Sequence, residues 1–167
     1  RTTFISKQAA EKGARRPADV PKSKVSKVGI LGAGMMGAGI ALVSAKAGID
    51  VVLLDRDTAT AEKGKAYSEK VFGKQISRGK MTQDKADATL ARITPTDDFA
   101  LLDGCDLIVE AVFEDIGIKA ETTKKAEAVI PSSAVFATNT STLPISELAQ
   151  ASARPDQFIG LHFFSPV

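Results

Sequence analysis

A glycine-rich turn between an apolar run and an alanine-rich segment restricts the fold of this chain more than any other feature. Val28–Leu31 is typical of a buried strand, and Met35–Ala47 is typical of a helix that ends at Gly48. Between them stands Gly32-Ala-Gly34-Met-Met-Gly37, which follows the pattern G-x-G-x-x-G. In this strand–turn–helix setting, the pattern predicts the first βα unit of a parallel α/β sheet.

Apolar runs and polar-faced helices alternate along the rest of the chain. Strands are predicted at Asp50–Asp55, Asp106–Ala111, Ala134–Thr138 and Phe158–Phe164, and helices at Thr58–Ser77, Thr82–Ile93, Lys119–Ile130 and Ser146–Ala151. Continuous apolar runs are typical of strands that are covered on both faces. The alternation predicts an α/β fold of the Rossmann type, a doubly wound, mostly parallel sheet with a helical insertion after the second strand.

The front of the chain has a different character from the predicted domain. Thr2–Gly13 predicts the end of a helix, and Pro17 and Pro21 then interrupt the charged stretch Arg15–Lys27. We interpret residues 1–24 as a basic, proline-containing linker at the end of a preceding domain. Residues 25–167 are interpreted as one folded domain.

Charge and composition exclude several classes of protein. Residues 1–27 carry eight Lys or Arg and two Asp or Glu, but no aromatic interleaving or nucleic-acid motif accompanies this charge, so no nucleic-acid partner is predicted. The chain is 44% hydrophobic and 25% charged, which predicts a buried core, and no apolar run is long enough to span a membrane. A single cysteine, Cys105, excludes an internal disulfide, and no metal site is predicted.

Each glycine of the turn has a physical task in a dinucleotide site. Gly32 allows the tight turn, and Gly34 lets the backbone approach a pyrophosphate closely. Gly37, with Ala38 and Gly39, is expected to let the helix pack against the strand. The N-terminus of that helix offers free N–H groups and the positive end of its dipole to the phosphates.

An acidic residue at the end of the second strand favours NAD. Asp55 follows Gly37 by 18 residues, near the position at which a carboxylate binds the ribose hydroxyls. The carboxylate would repel the 2′-phosphate of NADP, although the adjacent Arg56 would soften that preference. Met35 and Met36, inside the glycine pattern, complete the predicted contacts to the cofactor at this end. The glycine pattern by itself is shared with FAD-binding proteins.

The residues that could carry chemistry follow the later strands. His162 is the only histidine and belongs to the predicted strand Phe158–Phe164, which Pro166 limits. A neutral imidazole at the carboxyl end of a strand can remove a proton from an alcohol while hydride leaves the same carbon, but a lone histidine is also often structural. Asn139 and Ser141 follow the fourth strand, where they could bind a substrate oxygen or cap the next helix.

Acidic residues surround the end of the third strand. Glu110 lies inside an apolar run, so it requires a polar partner if it is buried. Glu114 follows that strand. Asp115 is interpreted as solvated or as the start of a helix.

Four segments together resemble the L-3-hydroxyacyl-CoA dehydrogenase family. They are Gly29-Ile-Leu-Gly-Ala-Gly-Met-Met-Gly-Ala-Gly-Ile40, Ile108-Val-Glu-Ala-Val-Phe-Glu114, Asn139-Thr-Ser-Thr-Leu-Pro-Ile-Ser-Glu-Leu148 and Gly160-Leu-His-Phe-Phe-Ser-Pro-Val167. The resemblance covers residues 25–167. It implies NAD as cofactor and the oxidation of (S)-3-hydroxyacyl-CoA to 3-oxoacyl-CoA in fatty-acid β-oxidation. The alternative is a non-catalytic NAD-binding or structural module of the same fold.

The resemblance also implies roles for single residues. His162 matches the general base, and Ser141 matches the serine that hydrogen-bonds the 3-oxygen of the substrate. Glu114 and Lys119 match residues at the nicotinamide end of the cofactor pocket, to which Asn139 is also assigned.

Two further residues match the coenzyme A contacts of the family. They are Ser68 and Lys74, in the helix predicted after the second strand. On sequence grounds alone, both would be plain surface residues of that helix.

The linker resembles the join before the dehydrogenase part of multifunctional fatty-acid oxidation enzymes. This implies an upstream enoyl-CoA hydratase domain, a C-terminal helical dehydrogenase domain and, as a further partner, a thiolase subunit. The family pairs its histidine with a glutamate about a dozen residues downstream, which is beyond Val167. The chain is therefore expected to bind NAD(H) with little turnover. A bacterial cytoplasmic location is favoured, with a mitochondrial or peroxisomal location as the alternative.

Overall fold

Six parallel strands form the centre of the molecule. The computed structural model describes residues 2–14, 16–17, 19–21, 23–165 and 167. The strands are β1 (Lys27–Leu31), β2 (Asp50–Leu54), β3 (Ile93–Thr96), β4 (Leu107–Glu110), β5 (Val135–Thr138) and β6 (Phe158–Gly160). Their order is β3-β2-β1-β4-β5-β6, and every neighbouring pair is parallel. This order is that of doubly wound dinucleotide-binding sheets, so the predicted fold class is confirmed.

Helices connect the strands and cover both faces of the sheet. They are α1 (Thr2–Glu11), α2 (Met35–Lys46), α3 (Thr58–Ser77), α4 (Gln83–Leu90), α5 (Ile116–Glu127) and α6 (Ile145–Leu148), with 3₁₀ turns at Phe99–Leu102, Ala149–Ala151 and Pro155–Gln157. α3 and α4 form the predicted insertion between β2 and β3. Side-chain caps fix three helix starts, because Asp57, Thr82 and Asp115 each accept a hydrogen bond from a backbone N–H in the first turn. The cap at Asp115 begins α5 at Ile116, three residues before the predicted start.

The sequence prediction missed one strand. Ile93 was assigned to the end of a helix, but Ile93–Thr96 pairs with β2 at the edge of the sheet. Pro95 disfavours a helical conformation at Thr94, and the β-branched residues around it favour a strand. A proline is tolerated in a strand at the edge of a sheet, where its missing N–H leaves no partner unsatisfied.

The last strand is shorter than predicted, which changes the position of His162. The prediction extended it to Phe164, whereas β6 ends at Gly160, which pairs with Thr138 at the end of β5. The backbone bonds between these two strands end with the one from the Leu161 N–H to the Thr138 carbonyl oxygen. His162 therefore lies beyond the strand rather than within it. Pro166, which was predicted to limit the strand, lies outside the described residues.

Two apolar clusters cover the sheet, one on each face, and a third lies among the helices around Leu42, Phe72 and Ala86. The first joins β1, β2 and α2 through residues such as Ile30, Leu53 and Ile40. The second joins the opposite face of the sheet to α5, with Phe136 and Ala126 among its members. Burial on both faces explains why the strands are apolar along nearly their whole length.

The end of the segment before β1 is attached to the sheet through Val25, which packs against the first core cluster, and through Ser26. The predicted helix stop at Gly13 is confirmed, since its φ of 65° is left-handed. Arg15, where the charged stretch begins, lies outside the described residues, and the division of the chain after residue 24 stays a prediction. The Asp106 carboxylate accepts hydrogen bonds from the backbone N–H and the hydroxyl of Ser26, both at 2.7 Å. Within the described part of the chain, no helix is long and apolar enough to cross a membrane.

Candidate functional site

The strand order reverses between β1 and β4, and a cleft opens there. The chain leaves β1 toward β2 on one side, and β4 lies on the other side. In open α/β sheets this is the position at which ligands bind. The cleft has a volume of about 770 Å³. It brings together six predicted cofactor contacts, namely Gly32, Gly34, Met35, Met36, Asp55 and Arg56.

The glycine turn is crowded at Gly32 and Gly37 and open at Gly34. Gly32 has a φ of +95°, and a Cβ there would lie 2.6 Å from the Ala111 carbonyl oxygen. A Cβ on Gly37 would lie 1.7 Å from the Gly32 carbonyl oxygen. Gly34 instead has no atom within 4 Å of a built Cβ, and it precedes α2 without a side-chain cap. The space at Gly34 and the uncapped N–H groups of α2 fit the diphosphate of a dinucleotide.

Gly39 serves a different contact from the predicted one. The sequence assigned it, with Gly37, to the packing of α2 against the strand. A Cβ on Gly39 would lie 2.8 Å from the Cβ of Val167, so Gly39 meets the segment after β6 instead. Residues that are two positions apart in a helix point in directions about 200° apart, so Gly37 and Gly39 lie on opposite faces of α2.

The Asp55 carboxylate joins the end of β2 to the glycine turn. Its Oδ2 accepts a hydrogen bond from the Ala33 N–H at 2.6 Å, and its Oδ1 accepts one from the Arg56 N–H at 2.7 Å. Each carboxylate oxygen has a second lone pair, which remains available to ribose hydroxyls. The Arg56 side chain is 83% exposed and lies 3.3 Å from Asp57 Oδ2, an ion pair that contributes little in solvent.

A second cavity, of about 310 Å³, adjoins the cleft and shares Met36, Ala111 and Val112 with it. It brings together the remaining residues that were assigned to catalysis and to the nicotinamide end of the cofactor. These residues are Glu114, Lys119, Asn139, Ser141 and His162. They come from the ends of β4, β5 and β6 and from α5, so the sheet topology alone places them at one site.

A buried ion pair lies beneath this cavity. The side chains of Glu110 and Lys119 are 1% and 2% exposed, and Lys119 Nζ lies 2.8 Å from Glu110 Oε1. Glu110 also accepts hydrogen bonds from the Thr138 hydroxyl at 2.7 Å and from the Val112 N–H at 2.8 Å. The sequence indicated that a buried Glu110 would need a partner, but the spacing to Lys119 did not identify it. The resemblance pointed to Lys119 only as a residue of the cofactor pocket.

Glu114 connects the ion pair to the loop that carries Ser141. Its Oε2 lies 3.1 Å from Lys119 Nζ, and its Oε1 accepts hydrogen bonds from the Thr140 hydroxyl and, at 3.0 Å, from the Ser141 N–H. Burial alone would raise the pKa of Glu114, but these donors and the Lys119 ammonium lower it to about 2. The carboxylate is therefore ionised at neutral pH and holds the loop in place.

His162 is exposed, and its neighbours are bonded on both sides. The Leu161 N–H donates to the Thr138 carbonyl oxygen at 2.9 Å, and the Phe163 N–H donates to Asn139 Oδ1 at 2.7 Å. The imidazole contacts the Phe164 ring edge to face, with ring centroids 4.8 Å apart.

The two residues assigned to coenzyme A have different environments. The expectation that Ser68 is a surface residue is wrong, because its side chain is fully buried and its hydroxyl has no hydrogen-bond partner among the described residues. Gly64, Ser68 and Phe72 follow at i, i+4 spacing and form the buried face of α3. Lys74 is exposed and lines a separate groove with Arg78 and Lys80. The coenzyme A contacts of both residues stay a prediction.

Comparison with known families agrees with this site. The family described as "3-hydroxyacyl-CoA dehydrogenase, NAD binding domain" matches residues 27–167. The chain belongs to this family. It is accordingly an NAD-binding domain, as the glycine turn and Asp55 indicated. The match begins at the first residue of β1 and includes all six strands.

Individual relatives are similar over most of this chain, but they are longer. A probable 3-hydroxybutyryl-CoA dehydrogenase of Deinococcus radiodurans is 44% identical over 84% of the chain and 50% of its own length. The fatty acid oxidation complex subunit alpha of Psychrobacter arcticus is 36% identical over 98% of the chain and 23% of its own length. The crystal structure of (S)-3-hydroxybutyryl-CoA dehydrogenase PaaH1 from Ralstonia eutropha has a TM-score of 0.82 and 35% identity, covering 86% of this chain and 51% of that chain. The chain therefore spans from 23% to 51% of the length of these relatives.

Proposed function

We propose that this chain is the NAD-binding half of an L-3-hydroxyacyl-CoA dehydrogenase that oxidises (S)-3-hydroxyacyl-CoA to 3-oxoacyl-CoA in fatty-acid β-oxidation. One observation supports it most. His162 and Ser141 line a single cavity that adjoins the cleft of the glycine turn, so a reacting carbon between them would meet a cofactor seated in that cleft. The dehydrogenase names of the relatives agree with this assignment.

His162 and Ser141 have complementary tasks in this reaction. A neutral His162 imidazole accepts the proton of the substrate's 3-hydroxyl, because it is exposed to the cavity and one of its ring nitrogens is an acceptor. The Ser141 hydroxyl hydrogen-bonds the same 3-oxygen and stabilises its developing charge. NAD would be held by the glycine turn and Asp55, and it would supply the hydride acceptor for the carbon that bears this oxygen. Glu114 holds the Ser141 backbone, which keeps the hydroxyl in a fixed position during the proton transfer.

The surrounding protein is also part of the proposal. The match to alpha subunits of fatty acid oxidation complexes supports a multidomain enzyme with an upstream enoyl-CoA hydratase domain and a C-terminal dehydrogenase domain. A thiolase subunit is its proposed partner, acyl-CoA is its substrate and the bacterial cytoplasm is its location. Ser68 and Lys74 are retained as candidate coenzyme A contacts, with Ser68 requiring a change in the packing of α3 before its hydroxyl could reach a ligand.

Cofactor binding is tested by titrating the chain into NADH and, separately, into NADPH while following the fluorescence of the nicotinamide. The chain has no tryptophan and one tyrosine, so its own emission does not interfere. Saturable binding of NADH with much weaker binding of NADPH is expected. Equal affinities would contradict the role assigned to Asp55.

Catalysis is tested in the complete dehydrogenase that contains this chain. His162→Gln is expected to abolish oxidation of 3-hydroxyacyl-CoA while leaving NADH affinity within about twofold, because the imidazole is assigned to proton transfer only. The 167-residue chain alone is expected to turn over little. Unchanged activity of His162→Gln would refute the base assignment, whereas no oxidation by the complete unmodified protein would favour a non-catalytic module.

A further inference from the structure

The segment that carries His162 lies beyond the last strand, yet two features outside that segment restrain it. We infer that Asn139 is a positioning residue for His162 and that Gly39 provides a second point of attachment for the same segment. This inference rests on the proposed role of His162. It assigns to Asn139 a task different from the cofactor contact that the resemblance implies.

Asn139 itself is fixed at the end of the sheet. It follows the last residue of β5, and its backbone N–H donates to the Glu110 carbonyl oxygen at 2.7 Å. Its side-chain Oδ1 accepts from the Phe163 N–H at 2.7 Å. A backbone N–H can only donate, so the amide must present its oxygen to Phe163. The NH₂ group remains for a ligand, and it can only donate to one.

The Asn139 side chain continues the sheet where the backbone ladder ends. The last backbone bond between these two segments joins the Leu161 N–H to the Thr138 carbonyl oxygen at 2.9 Å. Two residues later, the Phe163 N–H meets a side-chain oxygen instead of a backbone one. His162 stands between these two bonds. The peptide unit that follows His162, which carries the Phe163 N–H, is therefore fixed to Asn139, and the preceding residue, Leu161, is fixed to Thr138.

Gly39 provides the second attachment point of the segment, at a position farther from His162. Val167 lies against α2 at this glycine, where a Cβ would come within 2.8 Å of the Val167 Cβ and 3.3 Å of its Cγ2. Phe163 and Val167 both pack against the core cluster that contains Ile40 and Ala41. An alanine at position 39 would push the segment away from α2, because the contact is made with a β-branched side chain that cannot fold aside.

Hydrogen exchange of the Phe163 amide tests the role of Asn139 directly in the 167-residue chain. In Asn139→Ala, this amide is expected to exchange about five to ten times faster, because it loses its acceptor. Asn139→Asp keeps an acceptor oxygen and should restore slow exchange. An unprotected Phe163 amide in the unmodified chain, or equal rates in the unmodified chain and Asn139→Ala, would overturn the inference.

The NMR signals of His162 provide a readout that a change in stability alone would not alter. It is the only histidine, so its ring protons give one assignable set of NMR signals. We expect NADH to shift these signals in the unmodified chain and to shift them by less than half as much in Asn139→Ala. Asn139→Ala and the unmodified chain should unfold at urea midpoints too similar to account for that difference.

Gly39→Ala provides a second test if Asn139→Ala is poorly folded. It is expected to reduce the response of the His162 signals to NADH and to leave the glycine turn able to bind NADH. Gly73→Ala is the matched control, because Gly73 lies within α3 and has no atom within 4 Å of a built Cβ. If Gly39→Ala responds like Gly73→Ala, the attachment at Gly39 is wrong.

Failure of the proposed function gives a different pattern. If His162 does not adjoin the cofactor, NADH leaves its ring signals unchanged even in the unmodified chain. The exchange rate of Phe163 would still report whether Asn139 holds the segment.

Discussion

The crevice formed by the cleft and the adjoining cavity has two ends, and these ends are built from different kinds of atoms. At the glycine turn, the site depends on the path of the backbone, and Gly32 and Gly37 make contacts that leave no room for a side chain. At the cavity of His162, the site depends on side chains, among them an ion pair that is almost completely buried. The first end does not tolerate a larger residue at Gly32 or Gly37. The second end tolerates change only if charge and hydrogen bonds remain balanced.

This difference determines which parts of the site a sequence can reveal. The glycine turn depends on residues within one βα unit, so its spacing is visible over a few positions. The ion pair joins β4 to α5 and reaches the loop after β5 through Glu114. Such a network depends on tertiary contacts, which no local pattern records.

Removing Lys119 should damage the side-chain end most. Lys119→Met leaves Glu110 as an unpaired buried carboxylate, and we expect it to lower the free energy of unfolding by about 3–5 kcal/mol. Urea denaturation measures this loss. Lys125→Met is the control on the same helix, because its ion pair with Glu121 is exposed, and it should cost less than about 1 kcal/mol.

A double variant tests whether charge imbalance causes the loss. Glu110→Leu combined with Lys119→Met removes both charges and should recover much of the stability. A double variant as unstable as Lys119→Met would show that packing, rather than the unpaired charge, is responsible.

Adding a methyl group at Gly37 should disrupt the glycine turn, which forms the backbone end of the site. Gly37→Ala places a Cβ where the Gly32 carbonyl oxygen lies, so the turn must move. We expect a loss of about 1–3 kcal/mol in unfolding free energy and at least tenfold weaker NADH binding, measured by nicotinamide fluorescence. Gly73→Ala should leave both quantities close to their original values or slightly raise the stability. Tight NADH binding by Gly37→Ala would contradict the assignment of the turn.

Asp55 is a side chain that supports the backbone end of the site, because its carboxylate accepts a hydrogen bond from the Ala33 N–H in the glycine turn. Asp55→Asn removes the negative charge that repels a 2′-phosphate and weakens that support. The ratio of NADPH to NADH affinity should rise about tenfold, which corresponds to about 1.4 kcal/mol. Titrations with both cofactors measure the ratio, and an unchanged preference for NADH would assign discrimination to another residue.

Acid should weaken the side-chain end through Glu114. Its folded pKa of about 2 lies below the ordinary 4.5, so its stabilising contribution is complete above about pH 4.5 and disappears as the pH falls toward 2. The difference in unfolding free energy between the unmodified chain and Glu114→Gln should therefore shrink over this range. Glu62→Gln, on the exposed surface of α3, controls for the loss of one carboxylate. A difference that is constant with pH would contradict the ionised network.

The smallest effect is expected outside the crevice, at Ser68. Its buried hydroxyl has no partner among the described residues, so Ser68→Ala removes a desolvated group without breaking a hydrogen bond. The unfolding free energy should stay the same or rise by up to about 1 kcal/mol. A clear loss of stability would mean that the hydroxyl has a partner, and weaker binding of coenzyme A would support the role that the family resemblance implies.

Most of the fold could be predicted because strand and helix periodicity agree with local chemistry. α3 has the bounds that were predicted, and the structure shows that Asp57 caps its first turn and that Gly79 follows its end. β3 and the end of β6 could not be predicted in this way. β3 is a strand because β2 lies beside it, and β6 stops because β5 does.

The candidate site shows the same division. The glycine turn and Asp55 were found from spacing. His162 and Ser141 became candidates through their positions near the ends of predicted strands, and the family resemblance gave them their specific roles. The partner of Glu110 and the packing of Gly39 and Ser68 depend on which helix face meets which neighbour. These contacts exist only in the folded chain.

Pro95 affects how readily two copies of the molecule can associate through their sheet edges. It lies in β3, at one edge of the sheet, opposite Leu53 of β2. A foreign strand that approached this edge would meet a ring carbon where an amide hydrogen is needed, so it could not form a regular ladder. The proline therefore protects this side of the sheet against edge-to-edge aggregation while the chain is folded.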